Sequence, residues 1–277
     1  MKKFLSLISI LSIMAITLTG CGSTANTSSS SDSSETKDKI VLGVRASSIE
    51  QAEIVKADME KKGYQLEIVN FDDNIAPNQA LTEGSIDANM YQHEPYLSNY
   101  NQSNGTDLVM IQPKISMPVF GLYSNKYDDY KKIPNGATFG VCNDTTNQVR
   151  ALKLLNEIGL IKLPSDLEVP TILDLNDNNE TNPNGYKFIE AEMINLPQSL
   201  KDVDGILLAG LHMYNAGLDG TKYIASASDG EEYAVGVVVK KGNENAKWAT
   251  DLNDSFHTED MKKFLESSTG GTTIPLF

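Results

Sequence analysis

The sequence predicts an α/β fold built as two lobes with a ligand cleft between them. Two patterns carry that prediction. Short β-branched runs alternate with runs of helical periodicity, the signature of sheets with crossover helices. The alternation also restarts after Met117, which divides the exported part of the chain into two units of about a hundred residues each.

Lys39 to Arg45 (KIVLGVR) opens the fold as a strand, rich in β-branched residues. Ser48 to Lys62 follows as a helix, because Ala52, Val55 and Met59 share one face and Gly63 stops it. Gln65 to Phe71 alternates into a second strand. A helix from Pro77 to Glu83, a strand from Ile86 to Met90, a helix from Pro95 to Gln102 and a strand from Leu108 to Lys114 continue the order. After the restart, PVFGLYSNK is a strand, Tyr127 to Lys131 a short helix, and Thr138 to Cys142 a strand. Thr146 to Ile158 is a helix with Val149, Leu152 and Leu155 on one face, ended by Gly159 and Pro164. Tyr186 to Glu192, Gly205 to Ala209 and Glu232 to Lys240 are further strands, and a helix from Glu259 to Ser267 closes the chain. Lobe 1 is therefore expected over residues 39–118 with a return segment 231–277, and lobe 2 over 119–230. Trp248 reads as a helix packing residue.

The chain begins with a segment that is not part of either lobe. Lys2 and Lys3 precede an apolar run from Phe4 to Leu18, too short for a comfortable membrane span, so residues 1–20 read as a secretory signal. The run ends in Leu18-Thr19-Gly20-Cys21, which resembles the lipobox of bacterial lipoproteins and implies that Cys21 is acylated. Ser23 to Asp38 is nearly all polar and cannot bury apolar area, so residues 21–38 form a leash between a lipid anchor and the body. Two or more acyl chains make that anchor durable. The protein is placed on the extracytoplasmic face of the cell membrane.

Composition narrows the function classes. With 37 acidic and 23 basic residues the formal charge is −14, and loss of residues 1–20 removes two lysines and no acid, leaving −16. Nucleic acid is excluded as a partner, because phosphate binding needs clustered Lys and Arg. Once Cys21 is acylated, Cys142 is the only thiol, and it reads as a small buried filler. No metal or cofactor is expected. Asp174 to Asn184 has the alternating oxygens of a calcium loop but carries Asn179 and Gly185 where Gly and Glu are required, and reads as a solvated insertion. Among three histidines and no Gly-x-Ser-x-Gly elbow, no catalytic residue is assigned.

Two segments can hold a ligand. In Cys142-Asn143-Asp144-Thr145-Thr146-Asn147-Gln148-Val149-Arg150 a strand ends, capping residues follow and a helix begins near Thr146. Such a helix end directs free N–H groups toward an anion, and Arg150, one turn in, can add a bidentate fork to a carboxylate. The competing reading is an ordinary N-cap with a solvated arginine. In Asp87 to Tyr96 a strand carries Tyr91 and His93 on one side, before a helix opened by Pro95. They can line an apolar pocket, or pack as core and surface residues.

The segment DANMYQHEPYL resembles one of the NlpA/MetQ family of lipoproteins, substrate-binding proteins of ABC importers for methionine and related compounds. NDTTNQVRALKLLNEIGLIKL, YQLEIVNF with APNQALTEGSIDAN, and AEMINLPQSLKDVD follow the order of the same family, and the likeness covers residues 39–270. The resemblance implies a periplasmic-binding-protein-like fold and a function: capture of methionine, a related amino acid or a short peptide for an ABC permease. It implies that Arg150 binds the substrate carboxylate, that Asn147 belongs to the same motif, and that Tyr91 and His93 form the side-chain pocket. Two positions depart from it. Asn74, in FDDNIAPN, stands where the family usually has Tyr. Leu211 or His212 stands where the family has a ligand-binding Asn, with Asn215 a turn away.

The sequence is read as a monomeric binding protein, not an enzyme, with ligand contacts at Arg150, Asn147, Thr146, Tyr91, His93, Asn74 and His212. The alternatives are a surface lipoprotein with an adhesion or host-contact role, or a binder of a non-methionine ligand on the same fold. Cys21→Ala is expected to move the protein out of the membrane fraction. A mutant still membrane-bound after a salt wash would refute the lipid anchor.

Overall fold

The computed structural model describes residues 37–175 and 180–277. The signal segment, Cys21 and the leash up to residue 36 lie outside the described residues. Lys37 and Asp38, read above as the end of the leash, are tied to the body. Lys37 pairs with Asp87, and the Asp38 carbonyl accepts the Gln65 N–H at 2.7 Å.

The first sheet is organised around β1 (Lys39–Arg45), which lies parallel between β2 (Gln65–Phe71) and β3 (Ala88–His93). Its central position explains why Ile40, Leu42 and Val44 are wholly buried. Beyond β3 lie β11 (Val235–Val239), β5 (Ser116–Pro118) and β12 (Thr273–Pro275), all antiparallel to their neighbours, with β4 (Val109–Met110) beside β11. The second sheet has the order β10 (Ala225–Ser226), β6 (Phe120–Tyr123), β9 (Gly205–Ala209), β7 (Thr138–Cys142), β8 (Lys187–Ala191). Here β9 is the central, entirely buried strand, parallel to β7 and antiparallel to β6. The chain passes between the sheets at Val119 and again between β10 and β11.

Helices cover both sheets as the periodicity requires. In α1 (Ile49–Lys61), Ala52, Val55 and Met59 are fully buried. They share an apolar core with Trp248 and Leu252 of α7 (Lys247–Ser255) and with Met261 and Leu265 of α8 (Glu259–Ser267). In α4 (Thr145–Glu157), Leu152 and Leu155 join a separate core with Phe139, Leu207 and Leu208. Between β2 and β3 lies α2 (Ala76–Glu83), and β3 runs directly into α3 (Glu94–Asn104).

Several sequence expectations are corrected. The strand expected over Leu108 to Lys114 shortens to β4, since Pro113 has no N–H to give a ladder, and pairing resumes only at β5, beyond the expected bounds. The expected helix near Tyr127 is only a 3₁₀ turn at Tyr130–Lys132. The strand expected at Ile86 to Met90 begins later and continues to His93, and α5 (Leu196–Ser199) and α6 (Gly210–Asn215) were not anticipated. A short helix such as α6 has too few turns to show a period. Its position depends on a close approach: a Cβ on Gly220 would stand 2.4 Å from the Gly210 carbonyl oxygen.

A buried amide cluster fixes α2 against β3. Asn78 Nδ2 donates to Gln92 Oε1 at 2.9 Å, while Asn89 Nδ2 and Gln92 Nε2 donate to Asn78 Oδ1 at 2.9 and 2.6 Å. Asn78 and Asn89 are completely buried. Asn78→Leu is expected to lower the urea midpoint at unchanged m-value, by about 1–3 kcal/mol for each amide left without a partner. A midpoint within error of the parent would mean the cluster is replaceable by apolar packing.

Candidate functional site

A cavity of about 630 Å³, its mouth included, opens between the two lobes. It sits at the carboxyl ends of β1, β3 and β9, where open α/β sheets bind their ligands. From the first lobe it is lined by Arg45, Ser47, Asn74, Tyr91, His93 and Tyr96, among others. The second lobe supplies Asn147, Arg150, Met193, Ala209 and His212. Of the seven site residues expected from sequence, the fold thus brings six into one cavity.

His93 crosses the gap between the lobes. As the residue that caps α3, its Nδ1 accepts the Tyr96 N–H at 3.2 Å. The proton therefore resides on Nε2, which donates to Asn147 Oδ1 at 3.1 Å. Asn147 Nδ2 donates in turn to Asp144 Oδ2 at 2.8 Å. This relay leaves His93 no free nitrogen for a ligand, so it presents its ring. Burial holds it neutral, bringing its pKa down to about 4 despite the bond to Asn147, and the nearby Arg150 charge acts in the same direction.

Arg150 differs from the sequence expectation. Its Nε and Nη2 both meet the carboxylate of Asp229, Nη2 at 2.9 Å, so the bidentate fork is taken by the protein itself. Nη2 also reaches the Pro118 carbonyl at 3.4 Å. The guanidinium carbon lies 4.6 Å from the Phe120 ring centre and 4.2 Å from that of Tyr233. Among the described residues Nη1 has no acceptor. The side chain is only 3% exposed.

On the opposite wall, the phenols of Tyr91 and Tyr96 both donate to the backbone carbonyl of Asn74, at 2.7 and 2.9 Å. They pin the loop after β2 against the cavity. Burial raises the pKa of each, so both remain protonated donors. The Asn74 side-chain oxygen accepts from Nη1 of Arg45. Arg45 was not singled out from sequence, although a charged residue ending the apolar run KIVLGVR, on the ligand edge of the sheet, was a usable signal.

Thr146 does not line the cavity. Its hydroxyl donates to Asp144 Oδ1 at 3.0 Å, and that oxygen also accepts the Asn147 N–H at 2.9 Å. The helix end expected to receive a ligand anion is thus capped by Asp144. At the second departure point His212, and not Leu211, faces the cavity; Leu211 and Asn215 line a neighbouring hollow. Burial lowers the His212 pKa to about 4, with help from the Arg45 charge. Asp229 was invisible in the sequence, since it lies in an irregular crossover with no motif.

The residues 40–277 match the family model described as NlpA lipoprotein. The chain is 34% identical over 232 residues to the D-methionine-binding lipoprotein MetQ of Escherichia coli K12, covering 82% of this chain and 79% of that protein. Among solved structures it resembles a nutrient binding protein from Burkholderia cenocepacia bound to methionine (TM-score 0.80, 30% identity, 86% of this chain and 100% of the other). It also resembles an ABC transporter periplasmic substrate-binding protein from Coxiella burnetii (TM-score 0.78, 29% identity, 85% and 99%). The fold is that of the two-lobed periplasmic binding proteins. The chain belongs to the NlpA lipoprotein family.

The two histidines of the cavity, His93 buried and His212 half-buried, make stability depend on pH. Each has a folded pKa of about 4 against 6.5 for the free side chain, so between these values the unfolded chain binds protons that the folded one refuses. The stability they contribute is complete above pH 6.5 and is lost as pH falls toward 4. A fully shifted histidine should cost roughly 2 kcal/mol between pH 7 and 5. The Tm of the His93→Gln protein is expected to fall less than that of the parent over this interval. An equal fall would assign the effect to other groups.

Proposed function

We propose that this protein is an extracytoplasmic solute-binding component of an ABC importer, held at the membrane by lipid on Cys21. In this reading its cargo is methionine, a related amino acid or a short peptide. The observation that carries the reading is the interlobe cavity with Arg150 in its wall. A ligand carboxylate meets Nη1, the one guanidinium nitrogen that Asp229 and Pro118 leave open. The bond is charge-assisted and acts in a site largely shielded from water.

The remaining wall suits an apolar side chain. Tyr91, Tyr96 and the His93 ring, with Val235 beside His93 on the same sheet, line the cavity together with Met193 and Ala209 of the second lobe. His212 and the second amide hydrogen of Asn147 add polar contacts. Closure of two lobes around a ligand is the usual motion of such folds, and the His93–Asn147 bond is a ready contact between them. The kinship with MetQ proteins supports methionine-type cargo, and the kinship with an ABC transporter binding protein supports delivery to a permease. Catalysis is disfavoured by the state of Cys142, whose thiol donates to Asp144 at 2.9 Å and is kept protonated by burial.

Arg150→Ala is expected to weaken binding of L-methionine or a methionine dipeptide by about 1.5–3 kcal/mol, or ten- to a hundredfold. Isothermal titration of protein refolded free of ligand measures it. Equal affinity in parent and mutant would remove Arg150 from the binding role.

A further inference from the structure

Arg45 is 7% exposed, yet among the described residues no acid forms an ion pair with it. Asn74 accepts from its Nη1, and its Nε is buried without a partner. A cation withdrawn from water with neither counter-charge nor full hydrogen bonding is strongly unfavourable. Among the described residues the Asn74 amide is the one hydrogen-bond partner of Arg45, and no carboxylate pairs with it. A bound anion would.

The charge balance of the cavity points the same way. Its charged lining residues are Arg45 and Arg150, and Asp229 already neutralises Arg150. Asp73, Asp144 and Glu192 belong to a separate hollow that shares only Asn74 and Tyr96 with this one. Of the two charged lining residues, Arg45 is therefore the one without an ion-pair partner among the described residues. A zwitterion leaves it so, whereas a solute of net charge −1 cancels its charge. The space also extends past Arg45. Together with Ser47 and His212, Arg45 lines an adjoining cavity that includes Gln198 and Asn215, so it stands at a junction that a solute longer than one amino acid can span.

We propose that Arg45 is a second anion-binding residue of this site, and that the preferred solute is an amino-acid-type compound or dipeptide of net charge −1. One acidic group meets Arg150 and the other meets Arg45, which Asn74 orients. The proposal rests on the solute-binding reading above and specifies the class of solute.

The test uses the dipeptides Met-Glu and Met-Gln, nearly identical in shape and different in charge, with L-methionine as a third probe. All are titrated calorimetrically into protein refolded free of ligand. Met-Glu is expected to bind roughly ten- to a hundredfold more tightly than Met-Gln. Arg45→Gln should collapse that ratio toward one, and Arg45→Lys should retain part of it. Without ligand, Arg45→Gln should melt no lower than the parent, because it removes an uncompensated buried charge. Equal binding of the two dipeptides to the parent, or a ratio that survives in Arg45→Gln, overturns the proposal and leaves the solute-binding reading standing. So does a loss of several degrees in the ligand-free Arg45→Gln protein, which would make Arg45 a structural residue. Failure of all three probes to bind the parent overturns both.

Discussion

The ion pair between Arg150 and Asp229 is the constraint on which the site depends. A guanidinium 3% exposed loses most of its hydration, an effective penalty of several kcal/mol per ion in a protein interior. A pair at contact distance recovers about 4 kcal/mol in the effective dielectric of a protein, so attraction and desolvation are comparable. Geometry decides the outcome. Two bonds to one carboxylate and the nearby rings of Phe120 and Tyr233 hold the charge in place and leave Nη1 open to the cavity. Because Asp229 lies in the crossover between β10 and β11, the pair fastens α4 to the segment joining the two sheets.

Residues of the two recognisable motifs divide into those that build and those that face the ligand. Asn78, Asn89 and Gln92 are consumed in a buried amide cluster. Asp144 is consumed in capping α4 and holding Asn147. His93 spends one ring nitrogen on α3 and the other on the opposite lobe. A polar residue in such a motif is therefore as often a support as a contact, and only its hydrogen-bond partners separate the two roles. Tyr91 combines them, since its phenol pins the Asn74 loop while its ring lines the cavity.

The two guanidiniums of the cavity are in opposite states. Arg150 is neutralised and held by aromatic packing. Arg45 is buried with an open Nε and one amide partner, a state a stable fold would avoid unless a ligand completes it. His212, kept neutral by burial and by Arg45, leaves the positive charge of that corner concentrated on one residue.

What the sequence determined alone is the two-lobed α/β fold class and most of its longer elements in order. KIVLGVR, QLEIVNF and TFGVC occupy the strands expected of them, because β-branched density and period are local properties that survive burial. Residues beside strand ends, such as Tyr91, His93 and Asn147, could be placed near a cleft for the same reason. The tertiary structure decided who partners whom. That Asp229 would meet Arg150 across 79 positions, that Asp144 would occupy the helix end reserved for a ligand near Thr146, and that His212 rather than Leu211 would face inward are matters of distance between segments remote in sequence. Hydrogen bonds and ion pairs act only within a few ångströms, and no periodicity along the chain records which distant groups the fold will bring that close.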